Sequence, residues 1–442
     1  MTSLSRLRDS LIIVSALALM ALSNMVASAA DAELTFPKIA VPTIPGRTFT
    51  IVDYGAVGDG NALNTAAFSK TVAAAEQVGG GVVDVPQGKY VTGPFSLASD
   101  IDLHLEAGAT ILISDDIANY PLRDGDCVDC ITANRCHDVE ITGSGTIDGQ
   151  GQAWWSKYAH GGDQLPHRPF MVVFTKCRRV LVENVTLQNS PMFHLVPDDC
   201  SDVTIRNVRI FAPDGSPNTD GCDPSGCNIA ISGCTIDVGD DNIAVKPGRV
   251  QADDGVSCEN ISISNCTFLH GHGVSIGGQT PGGLRNMLVK DCTFDNTAFG
   301  IRMKASRGAG GLVENVEYDN LTMRNVHNTI LIYSYYESFP KDVGKDPAQP
   351  VNNLTPIWRN IRVNNVTSAN SEIAGQIIGL PEMPVSDITL TNVNIAAAKG
   401  MWFVYAKNIR FVNSQVTTPK GNAVTSTAAE VSGIDPVSGS PI

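Results

Sequence analysis

Short alternating runs of apolar and polar residues recur along this chain from about residue 136 to near its C-terminal end. Each run starts with two apolar residues separated by one position, and Asn, Asp or Gly follows two positions later in most runs. The first apolar residues, called anchors below, are Val139, Val180, Val203, Ile229, Ile261, Met287, Val316, Ile361, Ile388 and Ile409. Such alternation predicts half-buried β-strands. Most anchors are 21 to 32 residues apart, and this repeat predicts a parallel β-solenoid.

A column of asparagines supports the repeat. Asn stands four positions after seven of the ten anchors, at Asn184, Asn207, Asn265, Asn320, Asn365, Asn392 and Asn413. Asn tolerates the left-handed turn conformation, and in stacked coils it can hydrogen-bond its own copy one coil away. We therefore expect an asparagine ladder at one corner of the solenoid.

The eleven cysteines follow the same repeat. Cys136, Cys177, Cys200 and Cys258 each stand three positions before an anchor, and Cys234, Cys266 and Cys292 stand five positions after one. Most are expected to be small buried ladder residues. Because the protein is expected to be exported, one or two disulfides are also expected among Cys127, Cys130, Cys222 and Cys227.

The N-terminal end has a different pattern. Arg6 and Arg8 precede an apolar run from Leu11 to Val26 and then a small-residue segment, which is typical of a secretory signal peptide over residues 1–30. No later run reaches the roughly 20 apolar residues that a membrane span needs. The mature protein is expected to be soluble and secreted, in the extracellular space or cell wall, or in the periplasm if the source is bacterial.

Residues 31–442 are expected to form one domain. Within it, about 40–110 are predicted as an N-terminal cap and about 111–420 as the coils. The cap contains an Ala-rich helix pattern from Thr65 to Gln77, which follows Asn64 and ends at three glycines. The predicted fold is an all-β, single-stranded parallel β-helix with a short helical cap, and a monomer is expected.

The charge balance excludes some partners. Lys and Arg number 31 against 45 Asp and Glu, which gives a formal net charge of −14. Binding to nucleic acid or to an anionic membrane needs a basic surface, so neither is expected as a partner. A polyanionic substrate would need a local basic patch.

The segment from Pro213 to Gly248 concentrates acidic side chains between short apolar runs. Asp220 follows a turn signal, and the doublet Asp240–Asp241 follows a glycine at the end of an alternating run. Carboxylates clustered without compensating Lys or Arg are costly unless they are solvated, bind a metal or transfer protons. This segment is therefore the first candidate for a functional site.

The repeat places further polar residues beside these aspartates. Asp240 and His272 each lie eleven positions after an anchor, and Asp220 and Lys304 each lie seventeen positions after one. Arg302 lies two residues before Lys304 and hence on the same strand face. With coils roughly 4.8 Å apart, all five residues are expected on one wall of adjacent coils.

Each of these residues alone has an ordinary structural interpretation. Asp220 suits a turn, Asp240 and Asp241 suit a calcium site, and His272 suits a glycine-flanked loop. Their coincidence on one wall, beside the basic pair, favours a functional site instead.

Two or more carboxyls that flank a gap suit glycosidic hydrolysis, in which one protonates the leaving oxygen and another activates water. Like charges in close proximity raise one pKa, which keeps one carboxyl protonated as the acid. Arg302 and Lys304 supply the basic patch and match a sugar carboxylate. The substrate implied by these residues is an acidic sugar polymer.

Four ordered motifs carry a resemblance to a known family. They are N-T-D (Asn218 to Asp220), G-D-D (Gly239 to Asp241), G-H-G (Gly271 to Gly273) and R-M-K (Arg302 to Lys304). In this order and spacing they resemble the polygalacturonases of glycoside hydrolase family 28. The resemblance runs from Phe49 to about Tyr336 and continues more weakly to the C-terminus.

This resemblance implies a right-handed parallel β-helix and an inverting hydrolysis of α-1,4-galacturonan in pectin, with no metal and no cofactor. It implies that Asp240 is the general acid, that Asp220 and Asp241 are the water-activating bases, and that His272 tunes the acid. It also implies a substrate-binding set that consists of Asn218, Arg302, Lys304 and Tyr336. The adjacent Tyr335 is the other candidate for the substrate-binding tyrosine that is assigned here to Tyr336.

Two positions depart from the family pattern. Met303 replaces the usual Ile of the basic motif and is expected to point away from the cleft. Gly278 replaces the Ser that usually closes the histidine motif and is expected to alter a nearby contact.

Other interpretations stay open at this point. The substrate can be another pectic polymer, such as rhamnogalacturonan or xylogalacturonan. A pectate lyase shares the solenoid but uses calcium and an Arg or Lys base. A non-catalytic polysaccharide-binding β-helix is the alternative outside the enzymes, and it would not need the three aspartates.

The motifs do not distinguish endo action from exo action. Residues 337–355 form an insertion next to Tyr336 that is placed to wall off one end of the cleft. This insertion favours exo action slightly.

Overall fold

Three parallel sheets stack coil upon coil around one apolar interior in a computed structural model of the chain. The structure describes residues 34–159, 166–248 and 256–442, and residues Phe36–Ile442 belong to one compact unit. The signal peptide expected over residues 1–30 lies outside the described residues. The fold is a right-handed parallel β-helix, as expected.

Sheet 1 carries the anchors. Its separate strands are Thr48–Thr50, Gly81–Val85, Ile101–Leu105, His137–Gly143, Arg178–Glu183, Cys200–Arg206, Gly226–Ser232, Glu259–Ser264 and Val385–Thr391. Sheet 2 consists of Asp59–Leu63, Gly88–Thr92, Ala109–Ile113, Thr146–Asp148, Thr186–Gln188, Arg209–Phe211, Thr235–Asp237, Thr267–Phe268 and Gln415–Thr417.

Sheet 3 consists of Phe95–Ser96, Ile131–Asn134, Val172–Thr175, Leu195–Asp198, Ile243–Val245, Val274–Gly277, Phe299–Lys304 and Asn328–Tyr333. Five long strands bend from one sheet into the next: Leu284–Asp295, Leu312–Arg324, Ile357–Ile378, Asn394–Val412 and Val424–Ser432. A short antiparallel hairpin joins Leu122–Arg123 to Asp126–Cys127.

All ten anchors pair with their neighbours in the predicted register, from Val139 with Val180 to Ile388 with Ile409. Every anchor is at most 1 % exposed. The alternation therefore directs one residue in two into the interior, and the repeat length sets which residues stack on which.

The asparagine ladder is confirmed in two stretches, one that joins Asn207 to Asn184 and one that joins Asn365, Asn392 and Asn413. Between them, Asn320 donates to Asp291. All seven asparagines of the column have positive φ angles, and Asn392 donates to Asn365 (3.0 Å) and accepts from Asn413 (2.7 Å). A second ladder one position before the anchors, not anticipated from the sequence, links Asn228, Asn260, Asn286 and Asn315.

The cysteines lie within the described ranges, and all eleven are free thiols. The disulfides expected among Cys127, Cys130, Cys222 and Cys227 are therefore not formed. Cys222 instead takes an interior strand position in sheet 3, where it bridges Leu195 and Ile243, so it behaves as a small ladder residue.

Within the described residues the α-helices are Thr65–Gln77 and Gln152–Ala159, and short 3₁₀ turns cover Ile51–Tyr54, Ile117–Asn119 and Val343–Lys345. The first α-helix has the predicted bounds, whereas the second was not predicted. Parallel strands already pair within the region assigned to the cap, as Gly81–Val85 does with Ile101–Leu105. Over the described part of the chain, no helix combines the length and apolarity of a membrane span.

Candidate active site

The predicted site residues meet on the outer side of sheet 3, where the chain enters it from sheet 2. Cys222 pairs with Ile243, and Ile243 pairs with Val274. The residues two positions before these three are Asp220, Asp241 and His272. Since paired residues of parallel strands share one row, these three side chains occupy adjacent coils of the same row.

Asp240 is the aspartate that reaches the cleft. Its side chain is 23 % exposed, against 4 % for Asp220 and 1 % for Asp241. Its Oδ1 lies 2.9 Å from His272 Nδ1, and the Asp241 amide donates to the same oxygen at 2.8 Å. Burial alone would raise the pKa of Asp240, but the contact with His272 outweighs it and holds this pKa below its usual value.

Asp241 is held by three donors. Ser275 Oγ donates to its Oδ1 at 2.7 Å, Arg302 donates to the same oxygen at 3.0 Å, and Lys304 Nζ donates to its Oδ2 at 2.7 Å. Burial would raise the pKa of this carboxyl, but the charges of Lys304 and Arg302 hold it well below its usual range. Asp241 is therefore ionised in the unliganded protein.

Arg302 and Lys304, which were expected to bind a sugar carboxylate, are buried. They are 8 % and 3 % exposed, and both point at Asp241. The Arg302 guanidinium also stacks over the Phe299 ring at 4.2 Å, and Lys304 Nζ lies 5.0 Å from the centroid of the Tyr336 ring. The two cations thus stand between a buried carboxylate and the cleft.

Tyr336 lies in the cleft and Tyr335 does not. Tyr336 is 39 % exposed beside Lys304, whereas Tyr335 is 4 % exposed and donates to Asp346 at 2.8 Å. A Cβ atom at Gly278 would lie 2.4 Å from the Tyr336 ring, so this glycine makes room for the ring. Met303 is fully buried in the interior, as expected.

Lys246 and Asp223 complete the site and were missed in the sequence. The Pro213–Gly248 segment was expected to lack a compensating cation, but Lys246 Nζ lies 3.3 Å from Asp223 Oδ2 and 3.6 Å from Asp220 Oδ2. That expectation was wrong because the lysine follows the doublet by only five residues and turns back over the preceding coil. A sequence signal existed, since Lys246 is the one basic residue of that segment.

Asp220 and Asp223 are the carboxyls that resist ionisation. Burial is the main cause, and it raises the pKa of Asp223 to about 6 and that of Asp220 well above its usual value. The like charge of the neighbouring aspartate adds to the shift of Asp220, and Lys246 opposes both shifts. The raised pKa expected for one carboxyl thus falls on Asp220 and not on Asp240.

Arg168 positions Asn218 and was also missed. Its guanidinium donates to the carbonyl oxygens of Pro191 and Pro217 at 2.8 and 2.6 Å, and to Asn218 Oδ1 at 2.8 Å. The Asn218 amide, turned away from the arginine, donates to Asp240 Oδ2 at 3.5 Å. Nothing in the spacing of the motifs indicates Arg168, because it arrives from a long connection two coils earlier.

A metal site at this place is chemically unfavourable. Asp240, Asp241 and His272 have ligand atoms within 4.8 Å of one another. Both oxygens of Asp241, however, already accept from other groups, two of which are cations. Calcium prefers six to eight oxygen ligands, and Lys304 and Arg302 would repel it.

Long segments flank the catalytic coils on both sides along the axis. On the N-terminal side, the segments 114–130 and 166–171 are joined, because the His167 amide donates to Asp126 at 2.8 Å and the Phe170 amide donates to Asp129 at 2.8 Å. On the C-terminal side, Val343 of the insertion 337–355 packs on sheet 3. The Gly344 carbonyl of this insertion accepts from Tyr405 at 2.9 Å.

A parallel β-helix whose outer wall gathers several carboxyls, an imidazole and two cations is the arrangement of a polysaccharide-cleaving enzyme. The family model for "Glycosyl hydrolases family 28" matches residues 77–417. The chain therefore belongs to glycoside hydrolase family 28 and is a glycoside hydrolase.

Named relatives come from plants and bacteria. The chain is 33 % identical to a "Probable polygalacturonase" of Vitis vinifera over 79 % of this chain and 74 % of the relative. It is 31 % identical to an "Endo-polygalacturonase" of Pectobacterium parmentieri over 73 % of this chain and 81 % of the relative. The crystal structure of a hyperthermoactive exopolygalacturonase from Thermotoga maritima matches with a TM-score of 0.74 and 28 % identity, covering 85 % of this chain and 93 % of that one.

Proposed function

We propose that this chain hydrolyses the α-1,4 bonds between galacturonic acid residues of polygalacturonan in pectin, with inversion at the anomeric carbon. The observation that carries the proposal is the pairing of one cleft-facing carboxyl, Asp240, with two buried ones, Asp220 and Asp241, that lie behind it with opposite pKa shifts. Inverting hydrolysis needs a carboxylic acid for the leaving oxygen and a carboxylate for water.

Asp240 is the proposed general acid. It is the most exposed of the three aspartates, and His272 and Asn218 hold its two oxygens. In the free enzyme its pKa is low, so it must gain a proton as substrate binds. A uronate in the cleft excludes water and brings a negative charge, and both effects raise the pKa of a neighbouring carboxyl.

Asp220 and Asp241 are the proposed bases. Asp241 is ionised, but both of its oxygens accept from neighbours. Asp220 keeps its Oδ1 without a hydrogen-bond partner among the described residues, which leaves that oxygen available to a water. A base with a raised pKa also holds a proton well once it has taken one from water.

Arg302, Lys304, Tyr336 and Asn218 are proposed to bind the substrate. The ring of Tyr336 covers the Lys304 amine at the cleft surface, which suits a sugar ring with its carboxylate directed at the two cations. A galacturonate fits this pair better than a neutral sugar does, because buried cations favour a carboxylate partner.

Exo action is proposed from the ends of the cleft. The segments 114–130 and 149–159 are tied together on the N-terminal side of the catalytic coils, and the ring of Tyr120 from the first meets Trp154 of the second edge-on at 5.3 Å. These segments are proposed to obstruct the cleft at this end, which limits how far a polymer extends past the scissile bond.

Product sizing tests these proposals together. Purified protein is incubated with polygalacturonate, and the products are separated by length from the first minutes. Monomer alone from the start supports exo action, whereas a ladder of oligomers means endo action. Products that absorb in the ultraviolet would indicate a lyase, and release only from rhamnogalacturonan or xylogalacturonan would overturn the substrate assignment.

We further propose that residues 31–442 are exported as a single monomeric catalytic domain after removal of residues 1–30. N-terminal sequencing of the secreted protein, together with its mass in solution, tests this. An intact N-terminus or a dimer mass would contradict it.

A further inference from the structure

The Lys246 ammonium lies between an aromatic ring and two buried carboxyls. Its Nζ is 5.3 Å from the centroid of the Phe193 ring, 3.3 Å from Asp223 Oδ2 and 3.6 Å from Asp220 Oδ2. Phe193 is itself stacked on Phe170, with ring centroids 4.6 Å apart and an angle of 1° between the planes. The ring stack closes one side of the amine and leaves the two carboxyls on the other.

Asp223 has little to interact with besides this lysine. Its side chain is 1 % exposed, and within the described chain neither of its oxygens has a partner that meets hydrogen-bond geometry. A buried carboxylate in this position is costly unless a cation is close. Asp223 is too enclosed to touch a sugar, so any effect it has on the reaction passes through Lys246 and Asp220.

We propose that Lys246 and Asp223 are positioning residues for the reaction, acting through Asp220. Lys246 orients the Asp220 carboxyl and favours its ionised form. Asp223 also attracts the Lys246 ammonium, and its negative charge disfavours ionisation of Asp220. The proposal rests on the proposed function, in which Asp220 takes a proton from water.

The other charged groups near Asp220 pair mainly with one another, although the charge of Lys246 also acts on Asp241. Arg302 and Lys304 pair with Asp241, and Asp240 pairs with His272. The remaining neighbour is His194, whose Nδ1 lies 3.0 Å from the Asp220 carbonyl oxygen. Burial lowers the pKa of His194 to about 4, whereas the pKa of Asp220 is raised, so this ring is neutral when Asp220 ionises.

Because Arg302 and Lys304 pair with Asp241, Lys246 is the cation closest to Asp220 in the described structure. Lys246 and Asp223 therefore shift the pKa of Asp220 in opposite directions. Removing the positive charge at Lys246 disfavours the ionised form of Asp220, so its pKa rises. Removing the negative charge at Asp223 favours the ionised form, so the pKa of Asp220 falls. If Lys246 and Asp223 contributed only to packing, their replacement would not shift the pKa of Asp220 in opposite directions.

The test is the pH dependence of kcat/KM on short galacturonate oligomers. For Lys246→Met the acidic limb of the profile is expected to move up by about 1 pH unit, the size typical of a close opposite charge. For Asp223→Asn it is expected to move down, and by less, since Asp223 is itself partly protonated at low pH. Lys246→Arg keeps the charge and is expected to restore the wild-type limb.

Lys290→Met is the matched control. Lys290 pairs with Asp319 at 3.8 Å on sheet 1, away from the cleft, so its loss is expected to leave the profile unmoved. Thermal unfolding of each variant shows whether it is folded, and Asp223→Asn, which changes no volume, carries the test if Lys246→Met does not fold. If the acidic limbs of Lys246→Met and Asp223→Asn move in the same direction, or if neither moves, the proposal is wrong.

A second measurement separates this inference from the proposed function. Titration of ¹³C-labelled aspartate carboxyls by NMR, with the Asp220 signal identified by its loss in Asp220→Asn, follows the pKa of Asp220 without any turnover. If the wild type releases nothing from galacturonate oligomers, the proposed function fails, and opposite shifts of the Asp220 signal still support the electrostatic role. If the enzyme is active and the signal does not shift, the positioning role alone is wrong.

Discussion

Asp240 Oδ1 and His272 Nδ1 lie 2.9 Å apart on neighbouring coils of sheet 3. The backbone of the same two residues is also joined, because the His272 amide donates to the Asp240 carbonyl at 2.8 Å. The imidazole is therefore fixed relative to the carboxyl that faces the cleft. This places a group that can carry a proton next to the proposed acid.

Replacing Asp240 with Asn is expected to reduce kcat by roughly 10² to 10⁴-fold or more, since the amide cannot protonate the leaving oxygen. The fold is expected to persist because the volume is unchanged. Reducing-sugar release from polygalacturonate measures the rate, and circular dichroism checks the fold. Activity close to that of the wild type would remove Asp240 from the role of acid.

Lys304→Ala is expected to raise KM on polygalacturonate by roughly 10- to 100-fold, the value of a lost hydrogen bond between charged groups. A fall in kcat is also expected, because Asp241 loses one of its two cations. The KM defect should be smaller on methyl-esterified substrate, which lacks the carboxylate. Equal KM defects on both substrates would mean that Lys304 supports Asp241 and does not contact the sugar.

Gly278→Ala is expected to raise KM with little change in thermal stability. The added Cβ would lie 2.4 Å from the Tyr336 ring, and the ring is exposed enough to move aside. Gly248→Ala is the control, since the nearest heavy atom to its Cβ is 3.6 Å away. An unchanged KM in Gly278→Ala would argue against a role of Tyr336 in binding.

Asn392→Ala is expected to lower the free energy of unfolding by about 1 to 2 kcal/mol, because it removes two ladder hydrogen bonds and strains a left-handed position. The φ angle of Asn392 is +54°. Asn392→Gly should recover part of the loss, since glycine adopts this conformation freely. Chemical denaturation measures both, and a glycine variant less stable than the alanine variant would contradict the backbone contribution.

The register of the coils was predictable because it depends only on the periodicity of the chain. Ile229 and Ile261 pair as their alternation indicates. The ladder residue Asn392 was predictable for the same reason. Long-range stacking here repeats a local pattern, so a count along the sequence suffices. Past the turns the equal spacing slips, because His272 shares a row with Asp241 and not with Asp240. Lys304 lies five residues beyond the row of Asp220.

Other features depend on the paths of the connections, which have no period. Lys246 meets Asp223 because Ile243 pairs with Cys222, which sets the two charged residues on adjacent coils. Arg168 reaches Asn218 from a connection two coils earlier. The helix Gln152–Ala159 was missed because it is short and begins after glycines. Its two tryptophans are buried against the coils, so packing stabilises it more than its own sequence does.

The stereochemistry of the first product tests the central claim most directly. Wild-type enzyme is mixed with a galacturonate oligomer in D₂O, and the anomeric protons are followed by NMR before mutarotation. Water activated by Asp220 or Asp241 attacks the face opposite the leaving oxygen, so the β-anomer is expected first from an α-linked substrate. If the α-anomer appears first, a covalent intermediate has formed, and one of these aspartates is a nucleophile and not a base.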